Sequence, residues 1–180
     1  LALQDGRVSV AERLADEAEA CGDGFERLWQ LQGSLAHYRG DSARAAAAFS
    51  RLVAQLRRQR PGRWLVSALT SLGAAEDRRG TPGAGLPRHE EAWALAERLG
   101  ARQLQVAVAL NLIHALNTVE RYDEAVAIGE RALELGHFDA TASVINNLSA
   151  ALLAAGRTEP ARRWCERLAA HANPSLRCLA

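Results

Sequence analysis

Hydrophobic residues recur along this chain at intervals of three and four positions, in stretches of several helical turns separated by short polar breaks. This spacing is typical of amphipathic α-helices. The clearest example pairs residues 102–118 with residues 123–136. Asp123 has the chemistry of a helix N-cap, and Gly136 that of a C-terminal stop. The pattern therefore predicts two antiparallel helices joined by a tight turn near Glu120.

The same two-helix pattern returns along the whole chain at a nearly constant interval. Its turn positions are separated by 34, 40, 40 and 36 residues and fall at Gly6, Gly40, Gly80, Glu120 and Gly156. Five residues after each turn comes a small residue, and seven residues before the last four come mostly small ones, Gly33, Gly73, Ile113 and Ser149. Small residues let helices approach closely, so these positions predict the contact between the two helices of each pair.

The repeat register sets the predicted helices in chain order. They cover residues 1–5, 9–21, 25–39, 42–59, 64–79, 86–99, 102–118, 123–136, 140–155 and 158–171, and another starts at Ser175. Pro87 inside a helix would cost roughly 3 kcal/mol, so that helix is expected to begin near residues 86–88 or to be kinked. Segment 81–88 is thus predicted to be the weak joint of the array. Buried stripes are expected to include Leu31, Tyr38, Trp64 and Leu99.

Five short motifs carry a resemblance to a known family. They are Leu72-Gly73, Asn111-Leu112, Asn147-Leu148, Tyr122-Asp-Glu-Ala125 and Ala132-Leu-Glu-Leu135. The chain resembles a tetratricopeptide repeat (TPR) array over nearly all of residues 6–172. The resemblance implies an all-α fold, a right-handed α–α superhelix of antiparallel helix pairs, with residues 1–180 forming a single repeat domain.

A second resemblance concerns the longer, 40-residue spacing. Residues 89–100, followed by 107–112, are similar to the repeats of large bacterial transcriptional regulators of the maltose-activator and antibiotic-regulator types. In those regulators the repeats act as a sensor or protein-contact arm beside a DNA-binding module. Because the chain opens on Leu1 without Met and has half-units at both ends, we expect it to be a fragment of a longer bacterial protein.

Composition narrows the class of partner. The 22 basic residues, all of them Arg, nearly balance 21 acidic ones, and the net charge of +1 argues against direct contact with nucleic acid. No long apolar run or signal-peptide pattern is present, so we expect a cytoplasmic protein that does not contact a membrane. The three cysteines, Cys21, Cys165 and Cys178, are odd in number and widely spaced, which disfavours a disulfide framework or a zinc site.

No catalytic constellation is recognisable. His89-Glu90-Glu91 has no second histidine four residues on, and the Gly80–Gly85 cluster lacks the strand that a dinucleotide fingerprint requires. A phosphate-binding P-loop needs a lysine, and the chain has none. We therefore expect no enzyme activity, no cofactor and no bound metal.

What remains is a binding surface. TPR-like arrays present a concave face lined by the first helix of each pair. The resemblance places on that face Gln30, Ser34, His37, Thr70, Asp77, His114, Asn117 and Asn146. Asn111 and Asn147 match structural residues of the family and are not assigned to the partner side. The Lys/Arg-plus-Asn clamp that holds a peptide's terminal carboxylate in some members is missing here.

The expected function is a protein-interaction or effector-sensing scaffold, with a protein or peptide as partner. Several alternatives stay open: a stand-alone adaptor, an accessory arm of an enzyme whose active site lies elsewhere, and homo-oligomerisation. A small-molecule effector site between helices near Trp64 and Trp93 is another. The Arg-rich stretch 57–63 is interpreted as helix-terminal cations followed by a Pro-Gly stop rather than as an anion-binding patch.

Overall fold

The protein is an array of antiparallel helix pairs in the computed structural model, which describes residues 26–59, 61–135 and 138–170, without the side chains of 138–141, 168 and 170. This part of the chain contains eight helices and no strand: α1 (Glu26–Tyr38), α2 (Ser42–Arg57), α3 (Arg63–Asp77), α4 (Leu86–Arg98), α5 (Arg102–Thr118), α6 (Tyr122–Glu134), α7 (Phe138–Ala154) and α8 (Thr158–Ala170). The predicted all-α class is confirmed. Predictions for residues 1–25, Gly136 and residues 171–180 lie outside the described residues.

The helix boundaries agree with the predicted ones to within two residues. As expected, α4 begins at Leu86, which puts Pro87 in its first turn, where a missing amide costs little. The prediction that Asp123 is an N-cap is wrong. Because α6 starts one residue earlier, at Tyr122, Asp123 lies in the first turn instead.

The predicted turn positions share one backbone conformation. Gly40, Gly80, Glu120 and Gly156 all have a left-handed φ, between 61° and 90°. In the turns at 40, 120 and 156, the next amide donates to the carbonyl five residues back, for example from Arg121 to Leu116 at 2.9 Å. This bond satisfies a carbonyl that the end of the helix leaves open. The turn at Gly80 lacks it and continues instead into a longer loop.

Within three of the four pairs, the register sets a small residue of the first helix against a residue of the second. A Cβ added to Gly33 would lie 2.6 Å from the ring of Phe49, and one added to Gly73 would lie 2.6 Å from the ring of His89. These glycines therefore admit large rings between closely spaced helices. In the last pair the contact is between two small groups, with the Cys165 thiol 3.5 Å from the hydroxyl of Ser149.

The loop between α3 and α4 is held by the end of α3. The carboxylate of Asp77 accepts a hydrogen bond from the amide of Gly85 at 2.8 Å. A Cβ on Gly85 would lie 2.1 Å from the carbonyl oxygen of Gly73, so the two backbones nearly touch. The C-terminal end of segment 81–88 is packed against α3. The expectation that this segment is the weak joint of the array stays a prediction.

Four side chains expected on buried stripes lie at the surface instead. Trp64 is 60% exposed and Tyr38 63%, while Leu31 and Leu99 are also exposed. Trp64 is the second residue of its helix and Tyr38 the last of its own. Trp64, Tyr38 and Leu99 lie at or just beyond a helix end, whereas Leu31 is exposed in the middle of α1, so the periodicity fails at both kinds of position.

We name the first helices of the pairs, α1, α3, α5 and α7, the first-helix layer, and α2, α4, α6 and α8 the second-helix layer. Ion pairs connect successive members of the second-helix layer. They are Arg57–Glu91 at 2.5 Å, Arg121–Glu90 at 2.9 Å, Arg131–Glu97 at 2.8 Å and Arg157–Asp123 at 2.8 Å. Arg57 of the Arg-rich stretch is thus neutralised by an acidic neighbour.

The left-handed turns generate a stability prediction. Because Glu120 has a Cβ in a conformation that costs about 1 kcal/mol for residues other than Gly, Glu120→Gly is expected to raise the free energy of unfolding by up to about 1 kcal/mol. Gly80→Ala is the matched control: its new Cβ would meet nothing within 4 Å, so its cost is conformational alone. Urea unfolding measures both, and a destabilised Glu120→Gly protein would contradict the account.

Candidate interaction site

The first-helix layer is closed at one end and open at the other. α5 packs against α7, α3 packs less closely against α5, and α1 makes at most sparse contact with α3. Two amide hydrogen bonds close the α5–α7 boundary, from Asn147 to the carbonyl of Leu110 and from Asn117 to the carbonyl of Asn147, both at 3.1 Å. Asn111 has the same register as Asn147 but makes no such bond. The helices therefore separate toward α1.

A cavity of about 320 Å³ occupies this opening. Its walls come from α1, α2, α3, the residue that follows α3, and α5. The lining residues are Ser34, His37, Phe49, Thr70, Ser71, Ala74, Arg78 and Asn111. The volume lies at the lower end of the range for small-ligand sites, so it fits one or two side chains of a partner or a small molecule.

Polar groups with spare hydrogen-bonding capacity face this cavity. The Ser34 hydroxyl accepts a bond from the amide of Gln30 at 3.4 Å, which leaves its own O–H to donate elsewhere. The hydroxyl of Thr70 donates to the carbonyl of Val66 at 2.9 Å. Ser71 and Asn111 have no side-chain partner among the described residues, so both are available to a ligand.

Arg78 and His37 meet across the cavity. A terminal nitrogen of Arg78, Nη1, lies 2.6 Å from Nδ1 of His37 and also contacts Nε2. Burial and, secondly, the positive charge of Arg78 lower the pKa of His37 below its usual 6.5. A guanidinium can only donate hydrogen bonds and a neutral imidazole has one acceptor nitrogen, so only one of these two contacts can be a hydrogen bond.

The structure brings together some of the predicted groove residues and separates others. Ser34, His37 and Thr70 line the cavity, and Gln30 is bonded to Ser34. Of the remaining four, Asn117 contributes to the α5–α7 boundary, while His114 and Asn146 are exposed elsewhere on the first-helix layer.

Asp77 faces the second helix of its own pair. One carboxylate oxygen binds the amide of Gly85, and the other lies 3.1 Å from Nε2 of His89. His89 is completely buried, and its Nδ1 has no partner. The neutral tautomer with its proton on Nε2 suits this site, since a proton on Nδ1 would be an unsatisfied buried donor. Burial accordingly lowers the pKa of His89, although Asp77 opposes the shift.

Five residues that line the cavity were not assigned to it from the sequence: Phe49, Ser71, Ala74, Arg78 and Asn111. Arg78 follows α3, and sequence periodicity does not indicate which way a residue beyond a helix end faces. Asn111 was assigned a structural role through the resemblance. It does not make the bond to the preceding first helix that Asn147 makes, and it lines the cavity instead. The repeat register did offer one signal, since Ser71 and Asn111 share the position of Asn147.

Other candidate chemistry is sparse in the described part of the chain. It contains no group of three or more metal-ligating side chains and no helix long and apolar enough to cross a membrane. Trp93 is buried, with Arg131 6.0 Å from its ring centre, whereas Trp64 is exposed. No described contact joins the two tryptophans.

These features define a helical-repeat protein. No protein-family model matches the chain, and comparison with curated protein sequences finds no match. Among solved structures, the crystal structure of BtubC (BKLC) from P. vanneervenii is similar, with a TM-score of 0.78 and 20% identity over 90% of this chain and 72% of that one. At this identity the similarity concerns the fold alone, and it supports the predicted solenoid of antiparallel helix pairs.

The buried histidine predicts a pH dependence of stability. The unfolded chain binds a proton on His89 near the ordinary pKa, whereas the folded chain does so only at lower pH. Between these two values the unfolded state holds more protons, so stability falls as the pH decreases through about 6.5. Urea midpoints at about pH 7.5 and about pH 5.5 measure this loss.

His89→Phe is the variant that tests this assignment, because the equivalent position of the first pair already holds a ring, Phe49, against a glycine. Its acid-dependent loss of stability is expected to be smaller than that of the wild type, whatever its absolute stability. Ala94→Phe, which adds a ring at an exposed position of the same helix and leaves His89 in place, is the control and is expected to keep the wild-type dependence. An unchanged pH dependence in His89→Phe would assign the effect to another group.

Proposed function

We propose that this chain is a protein-interaction scaffold that binds a segment of a partner protein in the cavity between α1, α3 and α5. The observation that carries the proposal is the cavity itself: polar side chains with free hydrogen-bonding capacity line an opening in an otherwise packed helical layer. Left without a ligand, these groups gain only contacts with water. A partner segment that supplies complementary groups gains direct hydrogen bonds with them.

The surrounding structure supports binding without a large ordering cost. Most of the cavity wall belongs to α1, α2 and α3, whose pairs are closed by glycine–ring contacts. Helices held in this way lose little conformational entropy when a ligand enters, which favours affinity. An extended or helical peptide segment fits such a preformed groove.

The finer assignment is that the chain is a TPR-family array acting as the sensor or contact arm of a bacterial transcriptional regulator. Its support is the family motifs and the 40-residue repeat spacing. In this proposal the arm is cytoplasmic, has no enzyme activity and makes no direct contact with nucleic acid or membrane. Its partner is a protein or peptide, with a small-molecule effector as the second candidate because of the cavity volume.

Filling the cavity tests the binding site. Ala74→Phe places a ring in the cavity wall, and Ala94→Phe places the same ring on the exposed side of α4 as a matched control. On an array of immobilised random peptides, we expect a subset to bind the wild type and Ala94→Phe with dissociation constants of about 1–100 μM. The same peptides are expected not to bind Ala74→Phe.

The outcomes separate the alternatives, provided that circular dichroism shows all three proteins equally helical. Peptides that bind all three proteins alike would move the interaction to another face. If no peptide binds while a metabolite panel yields a ligand that Ala74→Phe excludes, the small-molecule alternative replaces the peptide. If neither class binds, the proposed function fails.

The regulator assignment has a separate test, which is to sequence the coding DNA on both sides of this segment. A flanking DNA-binding helical module supports the sensor-arm assignment. A reading frame that closes near residues 1 and 180 leaves a stand-alone adaptor, and a flanking catalytic motif leaves an accessory arm of an enzyme.

A further inference from the structure

The turns that lead from a second helix to the next first helix lie along one edge of the array. Successive helices pack side by side, so the end of α2 and the start of α3 meet at this edge, next to the end of α4 and the start of α5. Four exposed arginines and two exposed apolar side chains lie there. We name these six residues the basic rim: Arg58, Arg63, Trp64, Arg98, Leu99 and Arg102.

Folding brings together arginines that are one repeat apart in the sequence. Two of the four belong to the Arg-rich stretch 57–63, and the other two flank the next turn at this edge. None of the four has a carboxylate partner among the described residues. The acids of α4 that precede Arg98 are all paired with other arginines. The edge therefore carries positive charge that no described acid compensates.

The helices that begin at the basic rim add no negative charge to it. Neither α3 nor α5 has an acid in its first turn or a side-chain cap, whereas α1 begins with Glu26. The start of a helix carries a partial positive charge, which acids near it usually oppose. Without such acids, the positive potential of Arg63 and Arg102 is reinforced.

Trp64 and Leu99 expose large apolar surface beside these charges. Trp64 is 60% exposed and Leu99 is 40% exposed. The repeat does not require this exposure, because Leu104, which holds in α5 the position of Trp64 in α3, is packed against the core. Tryptophan and arginine are among the residue types enriched at the centres of protein interfaces. The basic rim thus combines an apolar anchor with the charges that protein interfaces use.

We propose that the basic rim is a second docking surface of this chain, which binds an acidic segment of a partner protein. In that segment an apolar side chain contacts Trp64 and Leu99, and the acids around it pair with the arginines. The surface is distinct from the cavity, because none of the six rim residues lines the cavity. The inference therefore goes beyond the proposed function and adds a separate contact.

The spacing of the helices suits a short acidic segment. Packed helices lie about 8–10 Å apart, and an extended peptide covers that distance in about three residues. A segment with several acids therefore reaches arginines at more than one helix end. Each such contact is a charge-assisted hydrogen bond, and a guanidinium can bind a carboxylate through two parallel bonds.

Nucleic acid and anionic membranes fit this edge less well. Binding of nucleic acid requires a basic surface that extends along the strand, but the edge continues to the end of α6, where Glu134 is exposed. A polyanion that follows the edge would meet this acid. The net charge of the whole chain is only +1. A short acidic segment contacts the rim alone and avoids the repulsion.

The experiment measures binding of a labelled peptide by fluorescence anisotropy. The probe is a short amidated peptide with one leucine between two runs of glutamate, and it carries a dye at its N-terminus. One control peptide replaces every glutamate by glutamine, and another replaces the leucine by alanine. A single-stranded oligonucleotide and vesicles of anionic phospholipid represent the other two classes of partner.

We expect the glutamate probe to bind with a dissociation constant of about 10–100 μM at low ionic strength. Added salt is expected to weaken binding, because it screens exposed charges. The glutamine peptide should bind at least about tenfold more weakly, since it loses every charge-assisted bond. The alanine peptide should also bind more weakly, because it buries less apolar surface. Ala74→Phe, which fills the cavity, should bind the probe as the wild type does.

Two double variants test the charges. Arg63→Gln combined with Arg102→Gln removes two charges from the rim and is expected to weaken binding of the probe about three- to tenfold. Arg79→Gln combined with Arg163→Gln removes the same charge from exposed positions at the opposite end of α3 and on α8. This control is expected to keep the wild-type affinity at physiological ionic strength.

A matched pair of truncations tests the apolar anchor. Trp64→Ala is expected to weaken binding of the probe about tenfold, as the loss of an interface anchor does. Leu153→Ala removes a large apolar side chain of similar exposure, 55%, from the first-helix layer and is expected to have no effect. Circular dichroism checks that all variants are equally helical.

Equal binding of the glutamate and glutamine peptides would overturn the inference, as would equal losses in the two double variants or an unchanged affinity in Trp64→Ala. Tighter binding of the oligonucleotide or the vesicles than of the glutamate probe would overturn the choice of an acidic protein segment. None of these results decides the proposed function, which fails or holds with the peptides that Ala74→Phe excludes.

Discussion

The close approach of the two helices in each pair is the constraint on which the rest of the structure depends. In the first two pairs a glycine of the first helix receives a ring from the second, Phe49 at Gly33 and His89 at Gly73. In the last pair, Ser149 meets Cys165. Any side chain at these glycines would have to displace a buried ring, and interiors packed to crystal-like density do not yield easily. These contacts therefore set the spacing of the two helices in the pairs that contain them.

Stacking leaves the two layers with different properties. The second-helix layer is connected by exposed ion pairs, each of which contributes little to stability. The first-helix layer is held by amide hydrogen bonds at the α5–α7 boundary, whereas Asn111 makes no such bond from α5 to α3. The same residue type, asparagine, closes the layer at 147 and borders a cavity at 111. A binding site thus arises where a structural contact of the repeat is not made.

Much of the fold followed from sequence because its signals are local and repeated. The turn positions were identified by spacing, and all four described ones have a left-handed backbone, including Glu120, where no glycine marks the turn. Helix limits followed from breakers and periodicity. Exposure at helix ends did not, as Trp64 and Tyr38 show, because it depends on how far a helix extends beyond its neighbour.

The site was less accessible to sequence reasoning. Assigning residues to the first-helix layer selected Ser34, His37 and Thr70, which do line the cavity. The same reasoning does not distinguish them from Asp77, whose carboxylate faces the other helix of its pair. The orientation of Asp77 depends on its contact with the buried His89. The two residues are twelve positions apart, a separation that gives no periodic signal in the sequence. Whether any of these residues contacts a partner stays a prediction.

The acidic and basic partners of the ion pairs are distributed unequally among the helices of the second-helix layer. α4 supplies only acids to them, Glu90, Glu91 and Glu97, and receives arginines from the helices on both sides. The distribution of acids and arginines therefore depends on the order of the repeats. By the repeat register, an array rearranged to set α2 beside α6 would bring Arg57 toward Arg131, which holds in α6 the position that Glu91 holds in α4. The charges that add little to stability thus discriminate between one sequence of repeats and its permutations, which the interchangeable glycine–ring contacts cannot do.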